Sequence, residues 1–211
     1  MPKITQARRD ANRAVIVAAA RHCFSRDGFH QTSMPDIAAA AGLSTGATYR
    51  YFTSKEEIIL EIAGDAFRMI FEPVLRLLEL DQPAGIDDLV TAAVEPMERS
   101  TERDAAGVVI PPGELLRCAV QAWAELLRND ELRDTANQGF EAVRSRMSTA
   151  LRQGQAAGTV PTELDADRST RVVMALLHGF VLQRAAFGLD DTAGFIQDVR
   201  DVLEVRTGSP R

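Results

Sequence analysis

TSMPDIAAAAGLSTGATYRYF, residues 32–52, decides how the rest of this 211-residue chain is read. The stretch predicts two short helices meeting at a tight turn, Ala41-Gly42-Leu43-Ser44. Ser33 can cap the first helix, with Asp36 three residues on, favouring the positive end of its dipole. Pro35 falls in the first turn, where a missing N–H costs nothing. Ile37, Ala38 and Ala41 give a small apolar face on which a second helix can pack closely. Gly42 stands where a helix C-terminus takes a left-handed residue, and Leu43 plugs the angle between the helices. Ser44 caps the second helix, and Thr45-Gly46-Ala47-Thr48 forms its opening turn. A helix so bare of bulk at its start can enter the major groove of DNA, which marks Ser33 to Phe52 as a helix-turn-helix.

The opening turn can meet DNA in several ways. Backbone N–H groups at a helix start attract phosphate. Thr45 and Thr48 can donate or accept at base edges, and the Ala47 methyl suits a thymine methyl. Gly46 removes bulk that would hold the backbone off the groove. Tyr49 and Tyr51 carry hydroxyls suited to phosphate oxygens, and Arg50 and Lys55 add positive charge. Phe52 is expected to turn inward.

The flanks have the same character. Arg13 to Asp27 reads as an amphipathic helix, with Ile16, Ala19, Ala20, Cys23 and Phe24 on one face; Gly28 ends it and Phe29 follows as the apolar residue after the cap. Downstream, Thr53 or Ser54 caps another helix, with Glu56 and Glu57 at capping-box offsets. The run AAARHCFSRDGF, then TSMPDIAAAAGLSTGATYRYF, then SKEEII resembles the N-terminal domain of the tetracycline-repressor (TetR) family across residues 9 to 62. Cys23 stands where the family usually has a larger apolar residue. The resemblance implies that Thr32 and Ser33 approach the DNA backbone, that Thr45 to Tyr49 lie in the major groove, and that Tyr51 and Lys55 grip phosphates; Ser44, the cap, is counted with these DNA-binding residues.

The net charge of −6 hides an asymmetry. Residues 1–55 hold eight Lys/Arg against three Asp, a net +5, which leaves −11 for the remainder. A basic head on an acidic body orients the molecule towards a polyanion. Two cysteines, Cys23 and Cys118, make no disulfide framework and show no zinc spacing. Met1 to Asp10 is polar and no apolar run approaches ~18 residues, so a cytoplasmic protein without membrane segments is expected.

From Lys55 onward the pattern is helical. Expected helices run from Lys55 towards Pro73, which should kink or end the first, then over Asp87–Arg103, Glu114–Asn129, Glu131–Ala157, Asp165–Phe187 and Thr192–Val205. GVVIPPG, residues 107–113, reads as a loop. The expectation is an all-α fold of about nine helices: a DNA-binding domain at 1–55, an effector-binding and dimerisation domain at 56–206, and a flexible tail at 207–211.

Val172, Val173, Leu176, Leu177, Phe180 and Val181 cannot all face one way, so their helix is buried on two sides. A partner copy accounts for the second side; the alternative is a fully buried central helix in a monomer. The resemblance implies that the last two helices form a four-helix bundle with their mates, and Val173, Leu177, Phe180, Val181, Phe195, Val199 and Val202 are assigned to that interface. It also places Phe67, Phe71, Met97, Trp123, Phe140, Met174 and His178 on helices enclosing a ligand cavity, where core packing is the competing role. Arg117 joins them because it and His178 are polar groups on largely apolar helices that need partners, a satisfied internal hydrogen bond being the competing role for both. Together these readings predict a dimeric regulator, a repressor by expectation, that binds a palindromic operator in double-stranded DNA. A small apolar or amphipathic effector would release it. The alternative is a DNA-binding architectural or division factor on the same fold without an effector. Three scattered histidines and no nucleophile, metal or phosphate-loop motif argue against an enzyme, and no metal or cofactor is expected.

Overall fold

The computed structural model describes residues 6–80, 83–98 and 111–207. Among these the protein is all-α, with nine α-helices in this order: α1 (Gln6–Asp27), α2 (Met34–Ala40), α3 (Thr45–Thr48), α4 (Lys55–Leu77), α5 (Ile86–Val94), α6 (Pro112–Leu126), α7 (Asp130–Ala157), α8 (Ala166–Phe187) and α9 (Thr192–Thr207). A 3₁₀ turn, Glu95–Met97, follows α5.

Several boundaries differ from the sequence expectation, each for a local reason. α1 begins seven residues before Arg13. Its extra turns have no apolar stripe and are supported by an i,i+4 pair, Gln6 Nε2 donating to Asp10 Oδ1 at 2.8 Å. α4 runs through Pro73 to Leu77, so the proline neither ends the helix nor prevents a further turn; one missing N–H removes one intrahelical bond. The helix expected over Asp87–Arg103 stops as α-helix at Val94 and tightens into the 3₁₀ turn that contains Pro96. Pro112 and Gly113, expected in a loop, open α6, with Pro112 in the first turn where proline is tolerated. Residues 107–110 of that loop, residues 99–103 of the earlier helix and residues 208–211 of the tail lie outside the described residues.

The chain divides into two compact units. The first takes Met1–Phe67 and Ser100–Leu132, the second Arg68–Arg99 and Arg133–Arg211. In the first, Ile16, Phe24, Ile37, Phe52, Ile58 and Leu116 are fully buried. α6 is fastened to α1 by polar contacts as well as packing. Gln121 spans the end of α1: its Nε2 donates to the Phe24 carbonyl at 3.0 Å, and its Oε1 accepts from the Phe29 N–H at 2.7 Å. Gly28 between them has φ +87°, the left-handed value a helix stop requires. Buried Arg21 pairs with Glu114 at 3.3 Å, and His30 with Glu125 at 3.2 Å. Cys118 is fully buried, and burial pushes its thiol up to about 12.

In the second unit, Leu89, Val94, Met97, Met147, Leu151 and Val181 are inaccessible to solvent. Asp165 caps α8 by accepting from the Arg168 N–H at 2.8 Å. Asp167 receives the hydroxyl of buried Ser148 at 2.5 Å and Arg152 at 2.8 Å, and the Ser148 bond chiefly holds its carboxyl below the usual range. Gly154 of α7 is required by packing: a Cβ there would stand 2.8 Å from the Ala84 carbonyl oxygen.

Candidate nucleic-acid interface

α2 and α3 are built by their caps. Ser33 caps α2 through a complete capping box: its Oγ accepts from the Asp36 N–H, while Asp36 Oδ2 accepts from the Ser33 N–H at 2.8 Å. The Ser33 hydroxyl, then its N–H, hold the Asp36 carboxyl below the ordinary carboxylate range. At the other end Gly42 has φ +66°. Its N–H donates to the Ala39 carbonyl at 3.1 Å and the Leu43 N–H to the Ala38 carbonyl at 2.9 Å, the paired bonds of a Schellman stop. Ser44 then caps α3, its Oγ accepting from the Ala47 N–H at 3.2 Å.

That geometry sorts the residues singled out from sequence. Ser33, Ser44, Gly46, Tyr49 and Arg50 are exposed, and Thr45 and Ala47 are half-buried. Tyr49 keeps 49% of its surface open, unusual for an aromatic side chain in a small unit. Thr48, by contrast, is fully buried, and its hydroxyl donates to the Ser44 carbonyl at 3.4 Å. Thr32 is buried too and donates to the Gly28 carbonyl at 2.9 Å. Both threonine hydroxyls brace turns in this state.

Tyr51 is half-buried; its hydroxyl oxygen accepts from Asn12 Nδ2 at 2.9 Å, which leaves the phenolic hydrogen to donate outward. Arg13 donates to the Tyr51 carbonyl at 3.0 Å, pairs with Glu61, and lies 4.1 Å from the centroid of the Phe52 ring. The Lys55 ammonium donates to the Phe29 and Thr32 carbonyls at 2.8 and 3.0 Å and sits 4.5 Å over the Phe29 ring. Two of its three N–H groups therefore tie α4 to the connection between α1 and α2, and the third can serve an anion. Asn12, Arg13 and Gln121 were not singled out by sequence reasoning. Their contacts join residues 38 to 97 positions apart, and no local pattern signals them.

The residues assigned to a ligand cavity are distributed over both units. In the first, Phe67 and Trp123 are half-buried, and Arg117 is exposed with its Nε donating to Ser25 Oγ at 3.0 Å. In the second, Phe71, Met97 and Met174 are buried. His178 Nδ1 lies 2.5 Å from the Met174 carbonyl and its ring 5.7 Å from that of Phe140. The second unit also has an open cleft of about 1050 Å³ that none of these residues lines; Ile86, Leu164, Arg168, Val172, Leu176 and Arg200 are among its walls.

Of the residues assigned to a subunit interface, Val173, Leu177, Phe180 and Val181 are buried within the single chain, as is Val199. Phe195 stacks on Phe180 with ring centroids 4.6 Å apart. Val202 is 68% exposed. The apolar surface α8 leaves open is a different stripe, carrying Val172, Leu176, Leu182 and Phe187.

No helix among the described residues is long and apolar enough to cross a membrane. Residues 16–62 match the bacterial regulatory proteins of the tetR family, and residues 113–204 match the C-terminal domain of BetI-type transcriptional repressors. An uncharacterized HTH-type transcriptional regulator of Bacillus subtilis, YfiR, is 32% identical over 157 residues, 72% of this chain and 70% of the relative. Among solved structures, the TetR family transcriptional regulator PfmR of Thermus thermophilus superposes with a TM-score of 0.70 at 22% identity, covering 93% of this chain and 99% of that one. A regulator from Saccharomonospora viridis, solved in complex with choline, gives 0.69 at 23% identity, over 91% and 95% of the two chains.

Proposed function

The chain belongs to the tetR family of bacterial regulatory proteins and is a DNA-binding transcriptional regulator; from that premise we propose that it represses transcription by binding a palindromic operator as a homodimer, and that a small apolar or amphipathic effector releases it. The observation that carries the DNA-binding half is the Ser44-capped α3. It leaves Gly46, Tyr49 and Arg50 exposed in a unit whose first 55 residues carry a net +5. Gly46 and Ala47 let the backbone approach base edges, Thr45 can hydrogen-bond there, and Tyr49, Arg50, Tyr51 and Lys55 hold phosphates. Thr32, Ser33 and Ser44 belong to the same surface through the backbone N–H groups around them. Thr48 contributes by fixing the turn.

DNA binding is assigned to residues 1–55, and effector binding and dimerisation to 56–206. α4 is the lever between these functions, since one continuous helix carries Lys55 at its start and Phe71 near its end. An effector acts by its different affinity for the two arrangements of that lever. Phe67, Phe71, Met97, Arg117, Trp123, Phe140, Met174 and His178 remain the candidate effector contacts. The matched relatives named as transcriptional regulators and repressors support this reading over an architectural role, and a cytoplasmic location follows from it.

Footprinting on the DNA upstream of the protein's own coding region tests the reading. The expected result is one or two protected palindromes with half-sites about one helical turn apart. The protection should be lost on adding a compound found by thermal shift, choline and long-chain amphiphiles being the first probes. Many dispersed sites with no releasing compound would instead establish the architectural role.

A further inference from the structure

Tyr51 is gripped at both ends by consecutive residues of α1. Asn12 Nδ2 donates to its hydroxyl oxygen at 2.9 Å, and Arg13 donates to its carbonyl at 3.0 Å. Neither holder is loose. Both are half-buried, and Arg13 is fixed in turn by its pair with Glu61 of α4 and by the Phe52 ring, 4.1 Å away. Phe52, the next residue, is fully buried, and the Tyr51 N–H donates to the Thr48 carbonyl at 2.9 Å. The backbone around Tyr51 is therefore anchored, and α1 sets the position of its phenol. A phenolic hydroxyl carries one hydrogen and can accept as well. Where an amide N–H occupies its accepting side, that hydrogen cannot be given to the same amide nitrogen and must point elsewhere.

We propose that Asn12 is a positioning residue for DNA binding, which acts through Tyr51 by holding the phenolic hydrogen towards a backbone phosphate. This rests on the reading of Tyr51 as a phosphate contact and adds how that contact is oriented. Without Asn12 the hydroxyl rotates freely and spends its hydrogen on water, so the bond to phosphate forms only at the expense of that freedom. A carboxylate in place of the amide has the opposite polarity, since it only accepts. It keeps a bond to Tyr51 but draws the phenolic hydrogen back towards α1. A phosphate contact carries no base information, so Asn12 contributes affinity on every sequence and not the choice of operator.

Fluorescence anisotropy of the full chain on a labelled random-sequence duplex at fixed salt tests this, with thermal melting of each variant followed alongside. Tyr51→Phe should weaken binding about tenfold, the worth of one hydrogen bond to a charged group. Asn12→Ala should weaken it by a smaller factor and have no further effect on the Tyr51→Phe background, because the two residues act as one unit. Asn12→Asp separates orientation from structure. It retains a bond to Tyr51 and should melt close to the wild type, yet it should lose more affinity with Tyr51 present than on the Tyr51→Phe background, where only the added charge acts. If Tyr51→Phe binds as the wild type does, the phosphate reading of Tyr51 fails and the proposal goes with it. The proposal alone fails if Tyr51→Phe weakens binding but Asn12→Ala costs nothing, or costs as much on that background as by itself. An Asn12→Asp loss equal on both backgrounds overturns it too, since repulsion of the phosphates then accounts for the whole effect.

Discussion

The start of α3 and the exposed face of α8 are both left open to solvent, yet they are made of opposite materials. α3 offers Gly46 and a half-buried Ala47, with Tyr49 and Arg50 just past its end; α8 offers Val172, Leu176, Leu182 and Phe187. The first suits a wet, charged partner met through backbone N–H groups, hydroxyls and a guanidinium. The second suits a dry contact, since contiguous exposed apolar surface marks an interface. On the proposed reading the two would fail differently: α3 would lose DNA affinity in increments, whereas α8 would lose the assembly.

The comparison is broken most severely by putting charge on the wrong side of α8. Val181→Arg buries a guanidinium at a site with no accessible surface, a loss of several kcal/mol. The second unit is expected to melt in a thermal scan followed by circular dichroism. Val172→Arg, on the open face, should leave the melting of the monomer unchanged and abolish the dimer. Equal melting losses for the two variants would erase the distinction between core and open face.

The next effect belongs to Gln121. Gln121→Ala removes two hydrogen bonds flanking Gly28 and should cost about 1–3 kcal/mol of stability in urea titrations. On the DNA side, Arg50→Ala should weaken operator and random DNA alike and flatten the salt dependence by about one unit of slope. Lys55→Ala should do both, losing stability and slope together, because its ammonium already holds the Phe29 and Thr32 carbonyls. A stability loss with an unaltered slope would confine Lys55 to its structural role. Thr48→Val should change stability more than base preference, the reverse of a residue that reads DNA.

The smallest effect is the capping box of α2. The folded Asp36 carboxyl is depressed, so its contribution is present above the ordinary aspartate pKa and is lost as pH falls through the lower folded value. Amide exchange at the start of α2 should therefore quicken as pH falls through that acid range, once corrected for intrinsic rates, and Asp36→Asn should show no such dependence.

How legible these features were depended on how local their physics is. The Ser33 cap, the left-handed Gly42 and the Ser44 cap each rest on hydrogen bonds spanning three to five residues, so the residue types announce them. Gly28 ended its helix for the same reason. Thr48 was not legible, because a hydroxyl at a helix start can turn outward to a base or back to a carbonyl; here it is buried and turns back to Ser44. The tether formed by α6 was invisible because Gln121 and Phe24 are joined only by folding.

By itself the sequence determined the fold class, the helix order, the helix-turn-helix with its caps, and the basic head on an acidic body. Each of these follows from short-range backbone chemistry, from the helical period, or from counting charge. Tertiary structure alone decided which apolar side of α8 is core and which is surface. Periodicity shows that Val172 and Val173 point different ways, but only packing shows Val173 covered and Val172 open. It likewise decided that α6 clamps α1 and that a cleft opens beside Leu176. Burial is a property of what a side chain is packed against, and residues distant in the chain supply that.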